Sequence, residues 1–335
     1  MGLPPRTNAT RELPPATPMA LTGTDGTATS VAMPSCPGTH TYQRESGRTR
    51  AMDSAARAFA SLPPLFTFTV DVEIHPGGAC AAAPTRRLLD LLEASDSRGT
   101  FFILDDVART DPSLVREIAG RGHEVASHGY AHRHLATETP ECFRTGMAGA
   151  RSRLADLAGR APTGYRAPYF SLTPAAGWVP AVLAELGFAY SSSLLPARNP
   201  LAGWPGAPRR PFRWDGGLLE LPVPLARFGP VAVPFLGGMY LRWLPGWRLK
   251  ALARNWAAAD GGGALWSYCH PYDLDTAERL GWRADVGRFA SLMLWLNRRS
   301  TLPRLQGLLE GRRSVPFTAR LPELVAQAPI WRPAP

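Results

Sequence analysis

From residue 65 onward, short apolar runs alternate with stretches in which apolar positions recur every three or four residues. Short runs of that kind suit strands buried on both faces, and the longer periodic stretches suit amphipathic helices. Residues 65–70 (LFTFTV) read as the first strand, followed by a loop and a helix over 85–95. Residues 99–104 (GTFFIL) form a second strand, and 111–121 a helix with Pro112 in its first turn, where the missing N–H is tolerated. A short strand at 124–127 (EVAS) precedes a helix over 140–157, a strand at 163–166 and a helix over 175–186 that Pro180 interrupts. Strands at 188–192 and 218–223 and a late strand at 264–269 (ALWSYC) complete the set. Strands alternating with helices predict an α/β fold around a parallel sheet, open or closed into a barrel.

Two segments break this rhythm. Residues 1–60 are rich in Thr, Pro, Ala, Gly and Ser without an apolar period. They read as a disordered, low-complexity tail or as a misplaced start, with Met52 the alternative start. Residues 197–262 carry many Pro, Gly and Trp. Within them, 241–256 (LRWLPGWRLKALARNW) suits either a helix lying on a membrane surface or a cap packed over the barrel mouth. Pro245 and Gly246 split the segment, which favours the cap and leaves a peripheral membrane contact as the rival. A short apolar helix over 289–296 is too short to span a bilayer.

Composition narrows the classes. With 335 residues, 45% of them hydrophobic, the chain can bury a large core, which excludes a disordered chain or a small disulfide scaffold. The net charge is +10, but Lys250 is the only lysine among 37 basic residues. That bias, with the abundance of Ala, Pro and Gly, reads as genome composition rather than a selected basic surface, so no nucleic-acid partner is expected. Cys36, Cys80, Cys142 and Cys269 are scattered without a C-x-x-C pair. Four reduced thiols, with no signal-peptide pattern at the N-terminus, predict a soluble cytoplasmic protein.

The candidate chemistry lies just after the strands. Asp71 and Glu73 follow the first, His128 and His132 follow EVAS, Arg166 ends the strand at 163–166, and His270 ends ALWSYC. In parallel α/β folds those strand ends share the face where ligands collect. Two carboxylates one residue apart in a strand point to the same side, which suits one metal ligand and one general base. His128 and His132 (HGYAH) stand four residues apart and, with a carboxylate, would make a site open to water. His134 is an alternative ligand, and His123, at the start of its strand, reads as structural. Arg166 suits a bidentate hold on a carboxylate base. Asp273 or Asp275 could orient His270 for proton donation. Cys269 reads as inert core, and no nucleophile elbow or phosphate-binding glycine loop is present.

These residues in this order resemble the polysaccharide deacetylase family, the carbohydrate esterases with a NodB-like domain. TVDVE stands where that family has T-F-D-D, HGYAH where it has H-S/T-x-x-H, RAPYF where it has R-x-P-Y/F, and CHPYD on the strand of its last histidine. RGTFFILDDVAR, RGHEVASHGYAHRHL, GYRAPYFSLTP and GGMY are similar to the exosortase-associated deacetylases of bacterial exopolysaccharide clusters. The resemblance implies a distorted (β/α)7-type barrel over residues 61–325, with an elaborated C-terminal cap from about 200 to 325. It implies a divalent metal, zinc first, with cobalt, nickel or iron as substitutes. His128 and His132 would be ligands with Glu73 completing the set, and Asp71 would be the base, the last two being exchangeable. Arg166 would hold Asp71, His270 would be the general acid, and the Tyr169 N–H would bind the oxyanion. Tyr169, Phe170 and cap tryptophans would stack on sugar rings. Two departures stand out: Gly129 replaces a Ser or Thr that steadies the metal loop, and Ser191 replaces an Asp usual in the closest relatives.

The implied activity is removal of N-acetyl groups from amino sugars of an exopolysaccharide or its lipid-linked precursor. The rival readings are hydrolysis of another amide (a formyl sugar or a cyclic ureide), a catalytically impaired sugar-binding relic, and an iron oxygenase built on the same two-histidine, one-carboxylate set.

Overall fold

Alternation within the first strand organises the molecule. In β1 (Phe66–Val72), Phe66, Phe68, Val70 and Val72 pack into one hydrophobic cluster with the helices, while Thr67, Thr69 and Asp71 take the opposite face. All seven residues are buried, because the sheet curls and encloses that polar face as well. The run thus reads as apolar on both sides although only one side is. The fold is a computed structural model that describes residues 66–74, 81–199, 202–229, 231–259, 264–282 and 287–333. The expected tail over 1–60 lies outside the described residues.

After β1 come α1 (Ala82–Ala94), β2 (Gly99–Ile103), α2 (Asp105–Thr110), α3 (Pro112–Gly120), β3 (Glu124–Ser127) and α4 (Pro140–Ala158). Then follow β4 (Gly164–Tyr165), α5 (Val179–Glu185), β5 (Tyr190–Ser191), β6 (Phe212–Arg213) and β7 (Leu219–Glu220). A hairpin of β8 (Ala226–Phe228) and β9 (Val231–Val233) leads to α6 (Gly238–Trp243) and α7 (Gly246–Ala259). The chain closes with β10 (Leu265–Cys269), α8 (Gly287–Trp295), α9 (Thr301–Leu309) and α10 (Phe317–Gln327).

One 8-stranded sheet runs in the order β10-β1-β2-β3-β4-β5-β7-β6. Every pairing in it is parallel except β6 with β7, so the result is a curled, mixed half-barrel clad in helices. Its solvent-side layer packs Leu88, Leu89 and Leu92 of α1 and Leu114, Val115 and Ile118 of α3 against β1 and β2. Its inner layer joins Phe102, Tyr190, Trp266 and Phe317. Glu124, at the N-terminal end of β3, accepts the Thr318 N–H at 3.1 Å and so holds the first turn of α10, where a carboxylate complements the helix dipole.

Two expectations shift in detail. Pro180 does not interrupt a helix; it lies in the first turn of α5, preceded by a 3-10 turn at Pro174–Ala176, because its missing N–H is tolerated only there. The segment 241–256 is split as Pro245 requires, into α6 and α7. Among the described residues no helix is long and apolar enough to cross a membrane.

Candidate active site

The strand ends deliver their polar residues to one cleft of about 460 Å³ lined by Asp71, Glu73, His128, His132, Tyr169 and His270, among others. Glu73 follows β1, and its Oε2 lies 2.6 Å from His132 Nε2 and 3.6 Å from His128 Nε2. One ligand atom from each of Glu73, His128 and His132 falls within 4.8 Å of the other two. The turn that brings the histidines together passes through Gly129 at φ 102°, a left-handed conformation that a side chain resists. The Gly129 N–H donates to Ser127 Oγ at 3.2 Å, so a hydroxyl two residues earlier ties this loop.

The second contacts of each imidazole define what the first can do. His128 Nδ1 lies 3.0 Å from the Arg166 carbonyl, an acceptor only, so Nδ1 carries the proton and Nε2 presents a lone pair. That lone pair faces a buried carboxylate oxygen, Glu73 Oε2, which has no well-aligned hydrogen bond. Two electron-rich atoms in that arrangement repel unless a cation or proton lies between them. The set therefore fits a divalent metal on its own chemistry: two imidazoles and one carboxylate with room for water. His132 Nδ1 lies 3.1 Å from the Tyr169 hydroxyl, which steadies the second ring. Burial pushes the Glu73 carboxyl up, but His270, followed by His132, outweighs it and holds the group well below its usual range.

Asp71 belongs to a separate pair. Its Oδ1 accepts from Arg166 Nη1 at 2.6 Å, and its Oδ2 faces His270 Nε2 at 4.0 Å. Arg166 is fully buried and held on every side. It donates to Thr69 Oγ1 at 2.8 Å, to the Ser192 carbonyl at 3.3 Å and to Ser192 Oγ at 3.1 Å. Its guanidinium lies 4.0 Å from the Phe102 ring centre and 4.5 Å from that of Trp266. Burial lowers the Arg166 pKa, opposed by Asp71.

His270 is oriented by Asp273 and not by Asp275. Asp273 Oδ2 accepts from the His270 backbone N–H at 2.9 Å and lies 3.2 Å from Nδ1. Burial would lower the His270 pKa, but Glu73, Asp273 and Asp71 together push it up to about 9. For Asp273, burial works upward but Arg242 and His270 pull its pKa down to about 2. Asp275 instead accepts the backbone N–H groups of Ala277 and Glu278 at 3.0 and 3.2 Å.

The remaining sequence candidates fall elsewhere. His134 caps a 3-10 turn by accepting the Ala136 N–H at 3.2 Å, outside the cluster. His123 accepts the Gly99 N–H at 3.1 Å, and burial followed by Arg98 and Arg121 pulls its pKa down to about 4. Cys269 is buried, and burial raises its thiol pKa. Ser191 is also buried, with its hydroxyl donating to Ser193 Oγ at 2.8 Å rather than facing the cleft. The cap tryptophans do not line the described cleft; its aromatic residues are Tyr169, Phe170, Tyr240, Tyr268, Tyr272 and Phe289. Trp204 and Trp214 pack instead against Trp331. Phe170 meets Tyr268 edge-on at 4.9 Å, and both Tyr169 and Phe170 hold left-handed backbone, φ 59° and 52°. Consecutive strain of this kind costs of order 1–3 kcal/mol per residue and collects at functional sites. Sequence reasoning gave no role to Thr69, although it opens the TVDVE segment, and missed Ser192 and Arg242, which lie in no recognisable motif position.

Residues 68–191 match the family model described as polysaccharide deacetylase, and 192–320 match a domain of unknown function, DUF3473. A peptidoglycan-N-acetylglucosamine deacetylase of Bacillus cereus is 35% identical over 85 residues, 25% of this chain and 31% of that protein. A peptidoglycan deacetylase of Helicobacter pylori is 30% identical over 109 residues, 32% of this chain and 36% of that one. The chain thus spans about a third of the length of the curated relatives it matches. A candidate polysaccharide deacetylase from Mycobacterium smegmatis shares the fold, with a TM-score of 0.54 at 24% identity over 81% of this chain and 94% of that one. The first segment carries every residue of the cluster except His270 and Asp273, which fall in the second.

Proposed function

We propose, from a chain whose residues 68–191 align with the polysaccharide deacetylases, that it is a metal-dependent hydrolase of the N-acetyl groups of a glycan's amino sugars. The observation that carries this reading is the meeting, in one cleft, of a Glu73–His128–His132 donor set with an Arg166-held Asp71 and an Asp273-held His270. A divalent cation, zinc first, would be held by Glu73, His128 and His132 and would supply a polarised carbonyl and a water of pKa ~7. Asp71 is the base: Oδ1 is occupied by Arg166, which leaves Oδ2 facing the cleft to take the proton from the attacking water. The Tyr169 N–H, on a left-handed turn beside the cleft, would bind the oxyanion that develops on the acetyl oxygen. His270 Nε2 protonates the departing nitrogen, because an amide nitrogen anion leaves too poorly without a proton. Phe170 and Tyr169 offer aromatic faces to the sugar.

An exopolysaccharide or its lipid-linked precursor is the substrate we favour, on the motif likeness to exopolysaccharide-cluster deacetylases. The cytoplasm is the compartment we favour, on Cys142 and Cys269 being free thiols. Purified protein loaded with zinc should release acetate from N-acetylated oligosaccharides, and His128→Ala should abolish that release. Undiminished release by the variant would refute the assignment. Glycan binding without turnover by the zinc-loaded wild type would favour the relic instead.

A further inference from the structure

The second acid–base group of the cleft depends on a residue outside the catalytic segment. Arg242 lies in α6 and is fully buried. Its Nη1 stands 3.3 Å from Asp273 Oδ1, while Asp273 Oδ2 holds His270 through both its backbone N–H and its ring. The same guanidinium donates to the Leu294 carbonyl at 2.5 Å and the Met293 carbonyl at 3.2 Å, fixing the end of α8 beside the cleft. Ser300 Oγ donates to the Arg242 carbonyl at 3.1 Å, and Thr301 Oγ1 donates to the Asp273 carbonyl at 2.8 Å. Three segments of the 192–320 region therefore converge on the Asp273–His270 pair.

We propose that Arg242 is a positioning residue that acts through Asp273 to aim the His270 imidazole at the departing nitrogen. The inference rests on the deacetylase reading above and gives the 192–320 region a part in it. The geometry assigns the two carboxylate oxygens to different tasks. Oδ1 faces the fixed cation, so the carboxylate plane cannot turn about its Cβ–Cγ bond without losing that contact. Oδ2 is then held at the ring nitrogen His270 Nδ1, and the opposite nitrogen, Nε2, points at Asp71 and Glu73, each 4.0 Å away. Without Arg242 the carboxylate keeps one anchor and the imidazole gains rotational freedom. In the reaction, water adds to the acetyl carbon and the C–N bond breaks. Nitrogen keeps the electron pair and takes the proton from His270 Nε2, leaving acetate and an amine.

A residue that acts through the acid matters only where the leaving group needs a proton. The test compares an N-acetylated chitooligosaccharide with 4-nitrophenyl acetate, whose phenolate departs with its electron pair unprotonated. Wild type, Arg242→Met, Arg242→Lys and Asp273→Asn, all as zinc-loaded full-length chains, are assayed on both. General acid catalysis contributes about 10²–10⁴ in rate, so partial loss of aim should lower the amide-to-ester kcat ratio of Arg242→Met roughly tenfold or more. The amide KM should stay within about twofold, and Lys should recover part of the ratio. Equal losses on both substrates would reduce Arg242 to a structural staple and overturn the proposal, as would an unchanged ratio. If Arg242→Met is inactive on the ester as well as the amide because it fails to fold, Arg242→Lys and Asp273→Asn decide by the same ratio. A wild type that turns over neither substrate would overturn the deacetylase reading, and this inference with it.

Discussion

Arg166→Met should be among the most costly single changes in the molecule, and most of the cost should vanish when Asp71 is neutralised first. In the wild type a buried guanidinium and a buried carboxylate meet at 2.6 Å. Two unit charges about 4 Å apart attract by about 4 kcal/mol at an effective dielectric near 20, against which each has lost its hydration. Removing the cation alone leaves the Asp71 carboxyl dry, with only His270 Nε2 at 4.0 Å, and such broken buried pairs cost about 3–5 kcal/mol. Met fills the space between Phe102 and Trp266 but supplies none of the donors that Thr69 and Ser192 receive. Asp71→Asn in the same background removes the stranded group, so the double variant should be less destabilised than the two singles sum to, by about 1–3 kcal/mol. Urea unfolding of the metal-free wild type, both singles and the double measures the cycle without any contribution from turnover or metal. Additivity within about 0.5 kcal/mol would show that Arg166 and Asp71 are not coupled.

Three further outcomes follow from local geometry. His123 is buried neutral with its pKa pulled down to about 4, so between the ordinary value near 6.5 and 4 the unfolded chain binds more protons than the folded one. Stability should therefore fall by about 3 kcal/mol as pH drops through that window. His123→Gln should flatten the slope by that share in pH-dependent denaturation, and an unaltered slope would count against it. Tyr169→Phe deletes the hydroxyl beside His132 Nδ1 and should weaken zinc binding about 10–100-fold in chelator competition, where unchanged affinity would argue that the contact is incidental. A Cβ at Gly237 would overlap the Tyr268 ring, so Gly237→Ala should cost about 1–3 kcal/mol by thermal or urea unfolding and disturb the cleft that Tyr268 lines. A variant as stable as the wild type would show that the ring yields freely.

Much of the strand framework was legible because parallel strands in a two-layered wall are apolar and short. EVAS at 124–127 coincides with β3, and GTFFIL and ALWSYC overlap β2 and β10. The site was legible for a related reason: polar residues at the ends of otherwise apolar strands have few structural roles there, and parallel topology gathers them. What stayed hidden depends on contacts distant in sequence. Thr69 alternates with Phe68 and Val70 like any strand threonine, and only the curl of the sheet turns its hydroxyl toward Arg166. The choice between Asp273 and Asp275 turns on which carboxylate a 3-10 turn at Pro271–Leu274 presents to the His270 N–H. The helices after residue 300 were not predicted, although buried Leu305, Leu308 and Leu309 in α9 and Phe317, Arg320 and Leu324 in α10 recur at helical spacing.

Arg242 shows where sequence reading stops in principle. In a basic chain with one lysine, an arginine beside two tryptophan-rich turns looks like surface charge or a membrane contact. Burial reverses that reading, because a guanidinium without solvent must find a carboxylate and carbonyls, and those available belong to segments 30 or more positions away. The excess of positive charge says nothing about which arginine is buried. A buried charge is retained at a cost that surface arginines do not carry, so it marks a place where the fold gains orientation rather than stability. In this molecule two of the buried arginines stand behind the two proposed acid–base groups, Arg166 behind Asp71 and Arg242 behind Asp273 and His270. Residues 68–191 supply the first and residues 192–320 the second, so the cleft is complete only when both regions are folded together.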